Sequence, residues 1–459
     1  MNRTFNRWIV LALLAPLFLT DAARAEAPAA PAPEADAEQA DEQADEQVSL
    51  DEIRRFVSVF RAVKEGYVDP IDDATLMRAA IRGLLIDLDP HSAYLDADQS
   101  RALSEAASGA YDGLGLEVIQ QPDRSLLVIA PIDDTPAARA GIRPGDVITA
   151  IDGKAITADG VDAAIDSMRG ETGTQTRLTV LRETAREPLE ITLTRETIRV
   201  SSVRVRQLEP GYAYLRISSF QANTGLDLER KLKELIAQQA SPFKGLVLDL
   251  RSNPGGLLNA AVEAADAFLD KGVIVSTRGR LAHSRSEVSA HPGDVLDGAP
   301  IAILVDSNTA SAAEVLAGAL RDHHRALVLG STTFGKGSVQ TVLPLDNGDS
   351  IKVTTARYYT PNGTSIQATG IVPDVLLQAQ GEVGETTGFQ PPTLRERDLP
   401  GHLTGENEAD DAAPGEAGAI RIQPIARAEE LDDPGVREAL NLLKGLAVFR
   451  DRPSAPPRR

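Results

Sequence analysis

"GSTTFGKGSVQ", Gly330–Gln340, is the stretch on which the fold turns. Glycine, four residues, then Gly335 and Lys336 nearly spell the loop that cradles nucleotide phosphates. Upstream, "GLVLDL" (Gly245–Leu250) resembles the apolar strand whose final aspartate holds a magnesium ion. A phosphate loop needs Ser or Thr directly after its lysine, then a helix whose free N–H groups face the phosphates. Here Gly337 follows Lys336, and "VQTVLPL" follows Ser338, with β-branched residues and a proline. That pattern predicts a strand. The order is also awkward, because Asp249 precedes the loop. The reading argues against nucleotide binding and leaves Lys336 at the start of a strand.

No acid lies between Ala326 and Leu345. A lysine held there without a carboxylate has its ammonium form disfavoured by desolvation, which is how a lysine becomes a general base near neutral pH. The plainer alternative is an exposed lysine on a glycine-rich loop. A matching nucleophile is Ser311 in "VDSNTASAAEVLAGALRDH", where an apolar strand turns into a helix. The positive end of the helix dipole favours a developing oxyanion there. A structural cap explains a serine at that place equally well, and Asn308 or Thr309 are rival caps. The G-x-S-x-G elbow is absent. "RSNPGG" (Arg251–Gly256) follows another strand, and its paired glycines let the backbone approach a ligand. Three such loops can converge at one edge of an α/β sheet, where ligands usually bind.

The six histidines fall in no zinc-binding array, and the chain has no cysteine. Neither a metal nor a cofactor is expected. A Ser-His-Asp triad through His283 or His291 stays open as an alternative. His323 and His324 fall at a helix end, where a cation complements the dipole.

The chain has 459 residues, 42% apolar, with a formal charge of −20. Two to four domains are expected at ~100–200 residues each. Arg3, Arg7, the apolar run Trp8–Leu19 and "ARA" (Ala23–Ala25) have the layout of a signal peptide over 1–25, cleaved after Ala25. The run is short for a membrane span. Export to the periplasm is the expectation, with an uncleaved inner-membrane anchor as the alternative. Residues 26–47 carry eight acids and no base, and read as a disordered acidic spacer. The remainder is still acidic and aromatics are only 4%, which argues against a general nucleic-acid surface. Helical spacing of Ile53, Phe56, Val57, Phe60 and Val63 opens a helical region over 48–108. Short strands and two short helices over 109–198 make a compact domain. Alternating apolar strands and helices over 199–378 make an α/β domain. Residues 379–431 read as linker or disorder. An amphipathic helix is expected over Asp432–Phe449, within a tail running to 459.

Six motifs in one order carry a resemblance: "DPHSAYL", "GLGLEV", "TPAARAGIRPGDVI", "LVLDLRSNPGGLL", "NTASAAEVLAGAL" and "STTFGKGSVQT". From about Leu50 to Leu377 the chain resembles the carboxyl-terminal processing proteases, also called tail-specific proteases. The resemblance implies a multidomain α+β fold: a helical N-terminal region, a PDZ domain, and an α/β serine protease core of the Clp/crotonase-like kind. It implies Ser311 as nucleophile, Lys336 as base and Gln340 as the residue assisting it. Oxyanion donors fall on Ala312 and the Gly255–Gly256 turn. Where family members commonly have glycine before the serine motif, this chain has Thr309 and Ala310. The PDZ carboxylate loop falls on Gly113, Leu114, Gly115 and Leu116, which would take a flexible protein C-terminus as an added strand.

The implied function is a serine endopeptidase of the bacterial cell envelope. Envelope proteins, cell-wall hydrolases among them, are its implied substrates. The acidic spacer and C-terminal helix are candidate contacts for an adaptor or activator, and the helical ends for a homo-oligomer. Two alternatives remain. One is a catalytically silent PDZ scaffold, and the other a dyad esterase or amidase acting on small substrates.

Overall fold

The computed structural model describes residues 48–121, 125–156, 161–239, 241–377, 394–406, 420–422 and 433–450. The leader and acidic spacer expected over 1–47 lie outside them. The chain forms two units, residues 1–76 and 77–459. In the first, helix α1 (Leu50–Gly66) starts at Ser49, whose hydroxyl oxygen accepts the Glu52 N–H at 3.2 Å. Asp51 and Glu52 complement the dipole in its first turn. Ile53, Phe56, Val57 and Val63 share a face at the expected spacing, yet each is 40–45% exposed. Helix α2 (Asp73–Ile86) begins in this unit, where Asp73 pairs with Lys64 at 2.6 Å.

In the second unit, strand β1 (Ala93–Leu95) leads into α3 (Ala97–Ser108), which a capping box of Asp96 and Gln99 initiates. A strand-rich region follows: β2 (Ala110–Gly113), β3 (Leu116–Gln120), β4 (Leu126–Pro131), the short α4 (Pro136–Arg139), β5 (Val147–Ile151), β6 (Lys154–Ala155), α5 (Val161–Met168), β7 (Gln175–Leu181), β8 (Leu189–Thr194) and β9 (Glu196–Arg199). The sheet runs β3-β4-β5-β7-β8 and is antiparallel, and β2 pairs with β9. In β7 alternate residues Thr176, Leu178 and Val180 are buried, as the two-residue period of a one-sided strand requires. Leu178 and Val180 join Leu126, Val128 and Ile148 in a separate core. Strand β3 is an edge.

The remaining elements are β10 (Val203–Glu209), β11 (Tyr212–Ile217), α6 (Thr224–Ala237), β12 (Gly245–Asp249), α7 (Leu258–Asp266), β13 (Val273–Gly279), β14 (Ser286–Ser289), β15 (Ile301–Val305), α8 (Ala312–Asp322), β16 (Ala326–Gly330), β17 (Ser338–Pro344), β18 (Ser350–Tyr359), β19 (Val375–Leu377), β20 (Ile420–Ile422) and α9 (Pro434–Arg450). A seven-stranded sheet runs β10-β11-β12-β15-β16-β19-β20, parallel from β11 onward. β12 and β15 are buried along their whole length, because helices cover both faces. Residues of α6, α7 and α8 (Leu228, Ala264 and Leu316) pack with Leu246, Leu248 and Ile303 on one face. On the other, Val436, Leu440 and Leu443 of α9 pack with Val247, Leu304 and Leu329.

Two features depart from the sequence reading. The region 199–378 holds a second sheet, in which β18 pairs with β1, β13 and β17. And the linker expected over 379–431 gives way in its described parts. Glu396 is fully buried, bonded to His91 and Gln367, and Ile420–Ile422 extends the large sheet as β20. These segments have too few apolar residues for a core of their own. They are ordered by polar and backbone bonds to residues distant in the chain, which composition does not reveal. Among the described residues no helix is long and apolar enough to cross a membrane.

Candidate active site

Strands β12, β15 and β16 are neighbours and parallel, so the loops leaving their C-terminal ends meet at one edge. The first loop is Arg251–Gly256, the second carries Ser311, and the third carries Lys336. Polar side chains join the first two. Asn253 is fully buried: Nδ2 donates to Ile217 O, Oδ1 accepts the Gly255 N–H, and its carbonyl accepts the Ala310 N–H, each at 2.9 Å. Thr309 donates to Leu250 O at 2.9 Å and accepts the Asp306 N–H at 3.0 Å.

The three loops line one cleft of about 600 Å³, which holds Ser311, Ala312, Gly255, Gly256, Lys336 and Gln340. Ser311 precedes α8 with φ 57° and ψ −120°, a conformation L-residues rarely adopt and one that local packing must enforce. Gly255 lies tight behind it. A Cβ on Gly255 would fall 2.8 Å from Ser311 Cβ and 3.0 Å from Ala312 N. Gly255 also has φ +98°, so glycine is required there twice over. The Gly255 N–H is already bonded to Asn253, whereas the N–H groups of Ala312 and Gly256 donate to no group among the described residues.

Lys336 Nζ donates to Gln340 Oε1 at 2.6 Å. Gln340 Nε2 donates to Ser338 Oγ at 3.0 Å and Thr354 Oγ1 at 3.3 Å, which turns the amide oxygen toward the lysine. Burial, then the positive charge of Lys352, push the Lys336 ammonium below the ordinary lysine range. Nζ makes no hydrogen bond to Ser311 Oγ among the described residues. The buried Tyr358 hydroxyl donates to Lys336 O.

Sequence reasoning misses Glu314. It is fully buried, in the first turn of α8, and its carboxylate receives four donors. Oε2 accepts the N–H groups of Ser311 (2.7 Å) and Lys336 (2.9 Å). Oε1 accepts the Thr333 hydroxyl (2.5 Å) and the Gly335 N–H (2.8 Å). One side chain thus fastens the serine turn to the lysine loop. Burial pushes its carboxyl up to about 7, against the opposing pull of the four donors. A serine followed by glutamate three residues on, at a helix start, is the capping-box signature that marks it. Asp249, the aspartate that ends the apolar strand β12, has its carboxylate engaged by protein donors. It is buried and bonded to Tyr214 (2.8 Å) and Arg251 (2.6 Å), and Arg251 continues to Asp433 at the start of α9. Burial acts to raise the Asp249 carboxyl, but the Arg251 bonds outweigh it and hold it below the usual range. The residues described contain no metal-binding group of three or more His, Asp or Glu side chains. None of the six histidines lines the cleft. His291 pairs with Asp266 at the surface, and His323 bonds Val273 O.

In the strand-rich region, Leu114 O accepts the Ala137 N–H at 3.0 Å, and Gly115 O accepts the Ile132 N–H at 2.9 Å. The N–H groups of Leu114 and Gly115 find no acceptor among the described residues, and the open edge of β3 follows directly. Leu114 is itself 2% exposed, so its side chain belongs to the core. Gly113 ends β2, and Leu116 opens β3.

Comparison with known proteins agrees with this layout. The model of Peptidase family S41 matches residues 211–377, a PDZ domain model matches 127–182, and the N-terminal domain of the activating protease CtpB matches 20–99. A carboxy-terminal-processing protease of Bartonella bacilliformis is 42% identical over 413 residues, covering 90% of this chain and 93% of that one. A probable CtpA-like serine protease of Staphylococcus haemolyticus is 35% identical, covering 71% of this chain and 65% of that one. Among solved structures, a photosystem II D1 C-terminal processing protease is similar at 32% identity and a TM-score of 0.41, covering 72% of this chain and 93% of the other. The chain belongs to the carboxy-terminal-processing serine proteases of peptidase family S41, and it carries their PDZ domain.

Proposed function

We propose that this serine endopeptidase cleaves with Ser311 as nucleophile, Lys336 as general base and Gln340 as the residue that orients the base. The observation that carries the reading is the cleft itself. It joins a strained serine at a helix start to a lysine whose ammonium bonds a neutral amide and, among the described residues, no carboxylate. Neutral Lys336 takes the Ser311 hydroxyl proton as Oγ attacks the peptide carbonyl. The N–H groups of Ala312 and Gly256 receive the oxyanion, an interaction whose loss costs about 3–4 kcal/mol per donor in serine proteases. Gly255, its own N–H engaged by Asn253, shapes the turn. The lysine ammonium then protonates the leaving amine. Water, deprotonated by the same lysine, releases the acyl-enzyme and restores Ser311. The core belongs in this reading to the Clp/crotonase-like kind.

Substrate enters as a flexible C-terminus. The tail adds to the edge of β3, and its carboxylate is held by the backbone of Gly113–Leu116. Export through a leader cleaved after Ala25 places the enzyme in the periplasm, where envelope proteins supply the tails and the exposed face of α1 offers a contact for a second copy or an adaptor.

The test is proteolysis of an unstructured protein by the purified chain beside Ser311→Ala and Lys336→Ala. Cleavage is expected only from the parent, with all three folded alike. Cleavage that survives Lys336→Ala overturns the dyad. The lack of a bond between Lys336 and Ser311 favours one second reading, a resting enzyme that a partner aligns. Under it the parent is silent until an envelope extract is added.

A further inference from the structure

The cleft around Ser311 contains two lysines and, among the described residues, no aspartate or glutamate. This is unusual for a chain with a formal charge of −20. Lys336 has a partner in Gln340. Lys352 has neither a hydrogen bond nor an ion pair for its ammonium among the described residues. The acids whose fields reach Lys336 are engaged elsewhere: Asp89 by Ser92 and the His91 N–H, Glu396 by His91 and Gln367, Glu314 by its four donors.

Its place in the sheet gives the unpaired ammonium a direction. Lys352 of β18 lies opposite Val342 of β17, and both line the cleft. Gln340 lies opposite Thr354, two residues along and on the same face. The Lys336 ammonium rests on Gln340. The Lys352–Val342 pair is therefore one two-residue step farther along the strand, about 7 Å at ~3.3 Å per residue. An extended substrate crossing the cleft advances roughly two to three residues over that distance and the reach of the side chain. Lys336 must be neutral to accept a proton, so Lys352 is the lysine left to meet an anion.

We propose that Lys352 is a substrate-binding residue whose ammonium receives a carboxylate of the bound polypeptide, roughly two to three residues from the scissile bond. Segments with Asp, Glu or a free chain end at that distance are thereby favoured. The inference rests on the reading of Ser311 and Lys336 as the catalytic pair.

The test compares peptides that differ only by Glu against Gln at each position within three residues of the cut, all sharing one C-terminal tail so that PDZ binding cancels. The parent is expected to favour Glu at one position by about tenfold in kcat/KM, the scale of a charge-assisted hydrogen bond. Lys352→Ala is expected to erase the preference, and Lys352→Glu to turn it toward a Lys-containing peptide. That gain cannot come from a misfolded chain. A second pair ends at the favoured position, as free acid or as amide. Loss on amidation in the parent but not in Lys352→Ala assigns the contact to the chain end, and a Glu/Gln effect assigns it to a side chain. Ratios equal in parent and Lys352→Ala for both pairs overturn the proposal. Binding of the same pairs to the Ser311→Ala chain separates the two readings. Charge preference there without cleavage by the parent defeats the catalytic reading alone.

Discussion

Lys336 is held at both ends, its backbone N–H by Glu314 and its ammonium by Gln340. A general base must lose its proton near neutral pH, and burial already works in that direction. Gln340→Glu reverses the balance with little change of shape. A carboxylate about 2.6 Å from Nζ favours the charged lysine, so its pKa rises. The acid limb of kcat/KM is expected to move to higher pH. Activity at pH 7 then falls roughly tenfold for each pH unit the limb travels, and it recovers in alkali. An unmoved limb would take the role of base away from Lys336.

Glu314 makes a second prediction at this scale. Its folded value of about 7 lies above the ordinary 4.5, so the folded chain binds the proton more tightly than the unfolded chain. The stabilisation is complete below about 4.5 and is lost as pH rises through 7, on the order of 3 kcal/mol in all. Glu314→Gln cannot titrate, so the Tm difference between parent and variant should narrow from pH 5 to pH 8. The amide also turns one acceptor into a donor facing two others, which costs about 1–3 kcal/mol per orphaned group. Equal pH slopes in the two proteins would show that Glu314 keeps one protonation state throughout.

Among the elements, the strand-to-helix turns carry the proposed chemistry. Gly255 lies so close to Ser311 that a methyl group must displace the proposed nucleophile. Gly255→Ala is expected to cut kcat/KM by about 100-fold, the scale of a 1 Å misplacement. Binding of a tail peptide at the PDZ domain should be unchanged. Gly115 makes the complementary case. It has φ +77°, and a Cβ there would fall 2.4 Å from Thr135 Cβ. Gly115→Val is expected to weaken tail binding at least tenfold while leaving cleavage of a short peptide that needs only the cleft. Loss of both activities together would point to unfolding rather than to a carboxylate loop. These turns are legible in the sequence because their signals are local: paired glycines after an apolar strand, a serine before a helix, Lys336 four residues from Gln340. The second sheet is not legible, since β1 and β18 pair across more than 250 residues and no short window contains both. Glu396, buried against His91, is hidden for the same reason, and a stretch poor in apolar residues reads as linker.

On the scale of the whole molecule, the large sheet is the scaffold that sets the cleft, and it needs cover on both faces. Helix α9 is expected from its amphipathic pattern, but a pattern names only an apolar face and not the surface that receives it. That surface is a face of β12, β15 and β16, the strands whose C-terminal ends carry the loops of the proposed active site. Asp433 at its start also holds Arg251, which holds Asp249 at the end of β12. Helix α9 is therefore a structural part of the protease rather than a spare tail. Leu440 is 1% exposed within this layer, so Leu440→Ala is expected to cost about 2–5 kcal/mol through lost burial and a cavity. Leu446, on the same helix but 39% exposed, should tolerate alanine within about 0.5 kcal/mol. Thermal melts of the two variants beside the parent measure the difference. Peptide cleavage well below the melting temperature measures whether the cleft is intact in the folded fraction. A Leu440→Ala chain as stable as the parent would mean that the sheet does not depend on α9, and the helix would then have to be explained by a partner.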